Sequence, residues 1–493
     1  MQENPVKWGK VIDQTLCIGC HACSTACKSE NAVPVGVNRT YVKYVDVGQF
    51  PAARRAFQVT RCNQCEHPPC VEACPTSAMY RRKDGIVDFD KDICIGCRAC
   101  IAACPYDAIF INPEDHSAEK CNFCAHRLEN DLEPACVVVC PTQAIQVGNL
   151  LDPSSIVSQY VNRGVVNVRR PEKETLPKLF YKGAHQATLD PLAAKRPEGG
   201  IFMWSEQPQV AHQVQSGNPD YANNMASAML AYDVPHRAPW GIAITSYVWT
   251  KAISAGSYLV AASLVLLGRL DPAGTMWKWT APLISAVFLA LTFALLIGEL
   301  EHPKRFYLIL IRPQWRSGLV RGGMILTAFA ALLGVHLIWP GAPPRAIAIA
   351  GALLAIASGT YTAWLFAQAK ARDLWQSPLL PPQHLVATIA AGAAALFLAR
   401  MPYAGAIMSV ATAVHLLLIA AEVLTPHPTA HARLASREMT RGSFRLYFAA
   451  GVILQILGAA AMQFGIVAAI FTLAGLLLYE RAHVGAGQAV PLA

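Results

Sequence analysis

Charged side chains are scarce in this chain, at 15% of its residues, and no cysteine occurs beyond Cys140. Scarce charge beside a 54% hydrophobic content excludes a disordered polyelectrolyte. The net charge of +9 does not mark a nucleic-acid binder, because the basic residues are spread between apolar runs rather than gathered in a patch. Residues 1–16 lack a charged start followed by an apolar core, so no secretory or twin-arginine signal is expected. Arg54-Arg55 and Arg81-Arg82 lie too deep in the chain to serve as one. Nucleophile motifs and phosphate-binding loops are missing too. Trp8-Gly9-Lys10, Glu198-Gly199-Gly200 and Gly322-Gly323 are glycine fragments without the strand and helix such loops need.

What is present is concentrated. All sixteen cysteines fall between Cys17 and Cys140, in four groups of four. They are Cys17, Cys20, Cys23, Cys27; Cys62, Cys65, Cys70, Cys74; Cys94, Cys97, Cys100, Cys104; and Cys121, Cys124, Cys136, Cys140. The third group, followed by Pro105, is the C-x2-C-x2-C-x3-C-P run of bacterial ferredoxins. In that run the fourth cysteine ligates the other cluster of a pair. Disulfides fit poorly, since C-x2-C pairs are badly placed to bridge one another. Zinc ribbons do not call for a third cysteine at x2 and a fourth at x3 before proline. Crossed ligation then predicts four [4Fe–4S] sets and no [3Fe–4S] variant. The inner pair is Cys62, Cys65, Cys70 with Cys104, and Cys94, Cys97, Cys100 with Cys74. The outer pair is Cys17, Cys20, Cys23 with Cys140, and Cys121, Cys124, Cys136 with Cys27. Lys28, Arg98, Lys120 and Arg127 sit among the ligands, where positive charge raises cluster potential; taken singly, each reads as ordinary surface charge.

The expected fold is an α+β, tandem ferredoxin-like domain over 1–180, then an irregular linker or partner-docking segment over 181–238. Strands are expected near Ala56–Thr60 and Gly85–Phe89. Phe180, Tyr181, Phe202, Met203 and Trp204 would anchor the linker on a partner. Residues 239–493 read as an all-α membrane bundle, with about eight spans at 242–267, 280–300, 318–339, 346–368, 383–399, 403–424, 444–462 and 465–480. Loops on the cluster-domain side carry Lys304, Arg305, Arg312, Arg316, Lys370, Arg372, Arg433, Arg437 and Arg441. The opposite loops carry only Arg269, Lys278, Arg345 and Arg400. The positive-inside rule then puts the iron–sulfur domain on the cytoplasmic face of the inner membrane. Thiolates are also kept reduced there.

The cysteine pattern, with its C-x2-C-x4-C-x3-C-P second group, resembles the four-cluster electron-transfer subunit of molybdopterin oxidoreductases such as DMSO and polysulfide reductase. The membrane half resembles the quinone-binding anchor of the polysulfide reductase type. The residues that carry this are Trp240-Gly241, Glu299-Leu-Glu-His-Pro303-Lys-Arg305-Phe306, Tyr361-Thr-Ala-Trp364, Trp375-Gln-Ser-Pro-Leu-Leu380 and Ala486-Gly487-Gln488. Glu299 stands where that family more often has Asp. In these families the halves are usually separate chains; here they look fused. The resemblance implies that the cluster of Cys17, Cys20, Cys23 and Cys140 faces a separate catalytic subunit carrying a Mo- or W-bis-pterin. The cluster of Cys94, Cys97, Cys100 and Cys74 would face the membrane. It also implies exchange with the membrane quinone pool, ubiquinone or menaquinone, and makes cytoplasmic sulfite oxidation the leading activity. The alternatives are a quinol-oxidising subunit of a DMSO, polysulfide or tetrathionate reductase, and an electron subunit of a hydrogenase or formate dehydrogenase. The latter use a haem-binding anchor, and His336 and His415 lack clear mates for haem. A membrane-tethered redox sensor would need only one labile cluster.

Quinone chemistry needs protons, so charges inside spans are candidates. Lys251 lies about 13 Å into the first span at 1.5 Å per residue. Glu299 and His302, with Glu301, stand at the end of the second, where they could equally form interfacial ion pairs with Lys304 and Arg305. Tyr247, Tyr361 and Trp364 could line a quinone slot or belong to an interfacial aromatic belt. His415 and Glu422, seven apart, share a helix face and could relay protons or bond between helices. His336 and His384 are expected at the interface.

Overall fold

The computed structural model describes residues 6–48, 51–195, 228–341, 343–460 and 465–493. It divides into two compact units: Met1–Pro239 with Ala369–Arg372 and Ala489–Ala493, and Trp240–Gln368 with Asp373–Gln488.

The first unit is α+β. Strands β1 (Trp8–Asp13), β2 (Thr40–Val47), β3 (Arg54–Arg61), β4 (Met79–Arg81), β5 (Val87–Phe89), β6 (Ile109–Ile111), β7 (Ala118–Lys120), β8 (Ile145–Asn149), β9 (Val166–Asn167), β10 (Leu179–Lys182), β11 (Ala194–Lys195) and β12 (Ala228–Tyr232) alternate with short helices. Two four-stranded sheets run β8-β1-β10-β9 and β11-β12-β2-β3, and β4–β5 and β6–β7 are hairpins. Each hairpin follows a cysteine-bearing helix, Pro69–Ala73 and Ala99–Ala103, which reproduces one half of a ferredoxin twice. Ile12, Val42, Val59, Ile145, Leu179 and Tyr181 pack into one core together with Cys23 and Cys136. Burial on both faces leaves β1 without the polar–apolar alternation of a surface strand.

The described ends of 181–238 are not irregular. β12 pairs antiparallel with β2 from Met229↔Asp46 onward, and β10 runs parallel to β1. Tyr181, expected on a partner, is fully buried in this unit, with its hydroxyl donating to the Val59 carbonyl at 3.1 Å. Such pairing is invisible locally, because each strand's partner lies more than a hundred residues away. Phe202, Met203 and Trp204 lie outside the described residues.

The second unit is helical. Among the described residues, seven helices are long and apolar enough to span a bilayer: Ile242–Leu266, Met276–Gly298, Gly318–Ile338, Pro344–Ala367, Leu380–Leu398, Ala404–Leu424 and Ile466–Ala489. A bent pair, Ala430–Thr440 and Arg445–Ala460, meeting at 68°, makes eight if counted as one span. It is numbered here as the seventh. Outer faces carry apolar stripes at helical spacing, such as Leu283, Val287 and Leu291, which suits lipid contact. The first span is the hub, buried along 89% of its most apolar window. Its Gly256 meets Gly392 of the fifth span so closely that a Cβ on either would fall within 2 Å of the other helix's backbone. The last helix runs to Ala489, well past the apolar run, because its polar residues His483 and Gln488 are buried in the bundle.

Candidate functional site

The four C-x2-C knuckles share one backbone shape. The residue before the second cysteine has positive φ in all of them: Gly19 (72°), Gln64 (49°), Gly96 (69°) and Phe123 (67°). Only two are glycine, so the repetition is structural rather than written in the sequence. The three Cys-Pro corners repeat as well, with left-handed Ser77, Asp107 and Gln143 three residues after the cysteine. Amides of the Cys-Pro corners, and one from β7, point at sulfur. Met79 N–H donates to Cys74 Sγ at 3.4 Å, Ala144 N–H to Cys140 Sγ at 3.2 Å and Ala118 N–H to Cys94 Sγ at 3.4 Å.

Burial is the main influence on most of the thiols. It pushes Cys23 up to about 11 and Cys27, Cys65 and Cys104 up to about 12. The charges of neighbouring thiolates add to it at several of these groups. Cys62 acts on Cys65, Cys70 and Cys104, and Cys104 acts on Cys65 and Cys70. Cys97 and Cys100 feel Cys74 and Cys94. Cys27 feels Cys121, Cys136 and Cys124; Cys17 feels Cys140 and Cys20, and Cys23 feels Cys17. Couplings also run between these sets: Cys100 with Cys70, Cys62 with Cys121, and Cys136 with Cys23. Buried thiols that raise one another's pKa form a donor set for a positively charged centre. Among the described residues no three His, Cys, Asp or Glu converge tightly enough for a single metal ion. Cys74, Cys94, Cys97 and Cys100 instead line a cavity, as a cage with a metal at each corner requires.

Two cations missed in the sequence enter here. Arg61 Nη1 donates to Cys136 Sγ at 2.9 Å, and Lys10 Nζ approaches the same sulfur at 3.7 Å. Burial would raise the Cys136 thiol, but these charges outweigh it and hold it at about 7. The four basic residues singled out by sequence have other partners. Lys28 donates to the Pro34 and Val37 carbonyls, Arg98 to Pro239, Arg127 to Glu30, and Lys120 to Val87. Lys120 still acts on Cys62 and Cys70 through its charge.

In the helical unit Lys251 is buried. Its Nζ donates to the Gly359 carbonyl at 3.1 Å and to Thr362 Oγ1, and lies 4.5 Å from the centre of the Tyr361 ring. A cavity of about 20 Å³ is lined by Lys251, His384, His415, Tyr479 and Glu480, among others. That admits a water molecule and no quinone ring. Glu480 Oε1, His384 Nε2 and Tyr479 Oη are buried without a hydrogen-bond partner among the described residues. Glu480 escaped notice because it ends the apolar run and looked like the end of the span. His384 and His336 are buried rather than interfacial, and His336 Nδ1 is 2.8 Å from Tyr258 Oη. His415 bonds across helices to Gln455 at 2.7 Å, while Glu422 accepts from Ser377, so the two serve different partners. Glu299 and His302 stand at the end of the second span and do not line this cavity. Trp364 points outward, 64% exposed, as a belt residue does.

Residues 232–490 match the family described as "Polysulphide reductase, NrfD", and 54–150 match "4Fe-4S dicluster domain". This protein belongs to the NrfD polysulphide reductase family. Its N-terminal part is similar to proteins that are separate chains. It is 44% identical over 180 residues to protein NrfC of Escherichia coli K12, covering 36% of this chain and 81% of that one. It is 40% identical over 209 residues to the B subunit of tetrathionate reductase from Salmonella typhimurium (41% and 80%). It is 44% identical over 177 residues to the B subunit of polysulfide reductase from Wolinella succinogenes (35% and 93%). This NrfD-type protein is therefore an integral membrane, iron–sulfur, electron-transporting component of the oxidoreductase kind, with both parts in one chain.

Proposed function

We propose that this chain is the electron-transfer and membrane-anchor subunit of a quinone-linked molybdopterin oxidoreductase, whose substrate site lies on a separate catalytic chain. The observation that carries this is sixteen cysteines at ferredoxin spacing, with the dicluster match over 54–150, in one chain with an NrfD-type helical part. When bound, [4Fe–4S] clusters supply one-electron carriage. The cysteines hold them at fixed positions, and the buried amides around the sulfurs exclude water. In series, the set containing Cys17 ends the line toward the catalytic chain and the set containing Cys94 ends it toward the membrane.

A quinone takes two electrons and two protons. Lys251, with Glu480 and His384 around one water-sized cavity, is the proton-exchanging group, and Tyr361 fixes the Lys251 ammonium over its ring. Glu299 and His302 are the surface groups through which protons and quinone reach the bundle. Replacing Lys251 with Met, or Glu480 with Gln, is expected to slow quinone turnover at least about tenfold, about 1.4 kcal/mol in barrier, with cluster EPR signals intact. Unchanged quinone kinetics in both variants would remove these residues from the site.

The loop charges support a cytoplasmic iron–sulfur domain on the inner membrane, and with it sulfite oxidation coupled to quinone reduction. The names of the tetrathionate and polysulfide reductase relatives favour a second reading, quinol oxidation by a sulfur-compound reductase. The deciding experiment is to purify the protein from membranes with its bound partners and determine Fe, Mo, W and haem. Sulfite:quinone activity is then compared with quinol:tetrathionate and quinol:polysulfide activity. About sixteen Fe, one Mo or W and no haem are expected; nickel or haem would point to a hydrogenase or formate dehydrogenase instead.

A further inference from the structure

We propose that Arg61 and Lys10 form a buried cationic clamp on Cys136 that raises the reduction potential of the cluster held by Cys27, Cys121, Cys124 and Cys136 more than that of the others. The proposal rests on the four-cluster reading. Arg61 is 2% exposed and Lys10 is fully buried. Both reach the same sulfur, at 2.9 and 3.7 Å, and Lys10 Nζ also lies 4.1 Å from the centre of the Phe123 ring, inside the Cys121–Cys124 knuckle.

Several other cations of this unit have carboxylates beside them. Arg39 pairs with Glu119 at 2.6 Å, Lys182 with Asp13 at 2.7 Å, and Lys178 approaches Glu66 at 3.7 Å. Among the described residues, Arg61 and Lys10 are paired with no carboxylate; the charges that act most on Arg61 are those of Cys136, Cys121 and Cys23. Arg61 Nε and Nη2 are also buried with no hydrogen-bond partner among the described residues. An uncompensated buried guanidinium is costly. The negative charge available to offset it is that of cysteine sulfur.

The physical effect has a definite sign. One-electron reduction adds one negative charge to the cluster and its ligands. Fixed positive charge on a ligand sulfur favours the reduced form, and in the dry interior water screens it little. Cys136 couples to Cys23 on one side, and Cys121 to Cys62 on the other. The clamp therefore acts on an inner position of the series, where it stabilises an electron in transit.

The test is an EPR-monitored potentiometric titration of the full chain with its co-purifying partners, with iron determined on each sample. Cys136→Ser identifies the signal that belongs to this cluster. Arg61→Gln and Lys10→Met are expected to move that signal to more negative potential and to move the others less. The expected size for Arg61→Gln is at least about tenfold in the one-electron reduction equilibrium, or about 59 mV. Arg61→Lys, which keeps the charge, is expected to recover most of the shift. Unmoved midpoints in Arg61→Gln and Lys10→Met with full iron content would overturn the proposal, as would equal shifts of every signal. If Arg61→Gln loses iron, Lys10→Met and Arg61→Lys decide by the same criterion. A wild-type chain without [4Fe–4S] signals would instead refute the cluster reading itself.

Discussion

His236 is clamped between two carboxylates: its Nδ1 is 2.6 Å from Asp107 and its Nε2 is 3.2 Å from Asp233. Burial alone would lower its pKa, but Asp233 and Asp107 outweigh burial and hold it at about 9. Arg372 adds a positive charge near Asp107, and the Tyr41 ring packs 6.1 Å from the imidazole. In an unfolded chain the same group titrates near 6.5. The protonated imidazole therefore contributes stability that is fully present below about pH 6.5 and is lost as pH rises toward about 9. Thermal melting of the detergent-solubilised protein, followed by cluster absorbance, should show Tm falling across that window. His236→Gln should flatten the fall and lower Tm on the acid side. A melting curve that does not change between pH 6.5 and 9 in the wild type would sever this link.

At the scale of elements, the contact between the first and fifth spans is the tightest demand on the bundle. A Cβ on Gly256 would sit 1.8 Å from the Thr388 carbonyl oxygen, and one on Gly392 would sit 1.9 Å from the Gly256 carbonyl carbon. Neither obstacle is a movable side-chain end, so the helices must separate. Gly256→Ala and Gly392→Ala should each sharply reduce the folded yield on size-exclusion in detergent. Gly334→Ala in the third span, with nothing within 4 Å of the added carbon, should be neutral or stabilising by up to roughly 1 kcal/mol. The same contrast explains what could be read from sequence. Span positions were legible because apolar length is a local property. Lys251 was legible because it breaks an apolar run, whereas Glu480 sits where such a run stops and resembles an ordinary helix end. The iron–sulfur domain was legible because ferredoxin spacing is a local pattern. Arg61 was not, since nothing near it in sequence says that strand β3 delivers it to Cys136, 75 positions away.

At the scale of the whole molecule, the confinement of cysteine to residues 17–140 leaves the helical unit free of native thiols. Single cysteines can thus report orientation. With the iron–sulfur domain in the cytoplasm, Lys304→Cys should resist an impermeant maleimide added to intact spheroplasts, and Arg269→Cys should react. Both positions are exposed. The opposite labelling would place the cluster domain outside and remove the main support for cytoplasmic sulfite oxidation.

Lys251 also bears on how the protein is made. Its carbonyl acceptor, Gly359, is translated 108 residues later, and Thr362 111 residues later. At roughly 5–20 residues per second the ribosome needs about 5–20 s to supply them. For that interval the first span carries a lysine worth roughly +2.5 to +3.5 kcal/mol against insertion at a helix centre. Its release into lipid is therefore expected to wait until the fourth span emerges, and the helix at the hub of the bundle, the first one synthesised, is not the first to settle.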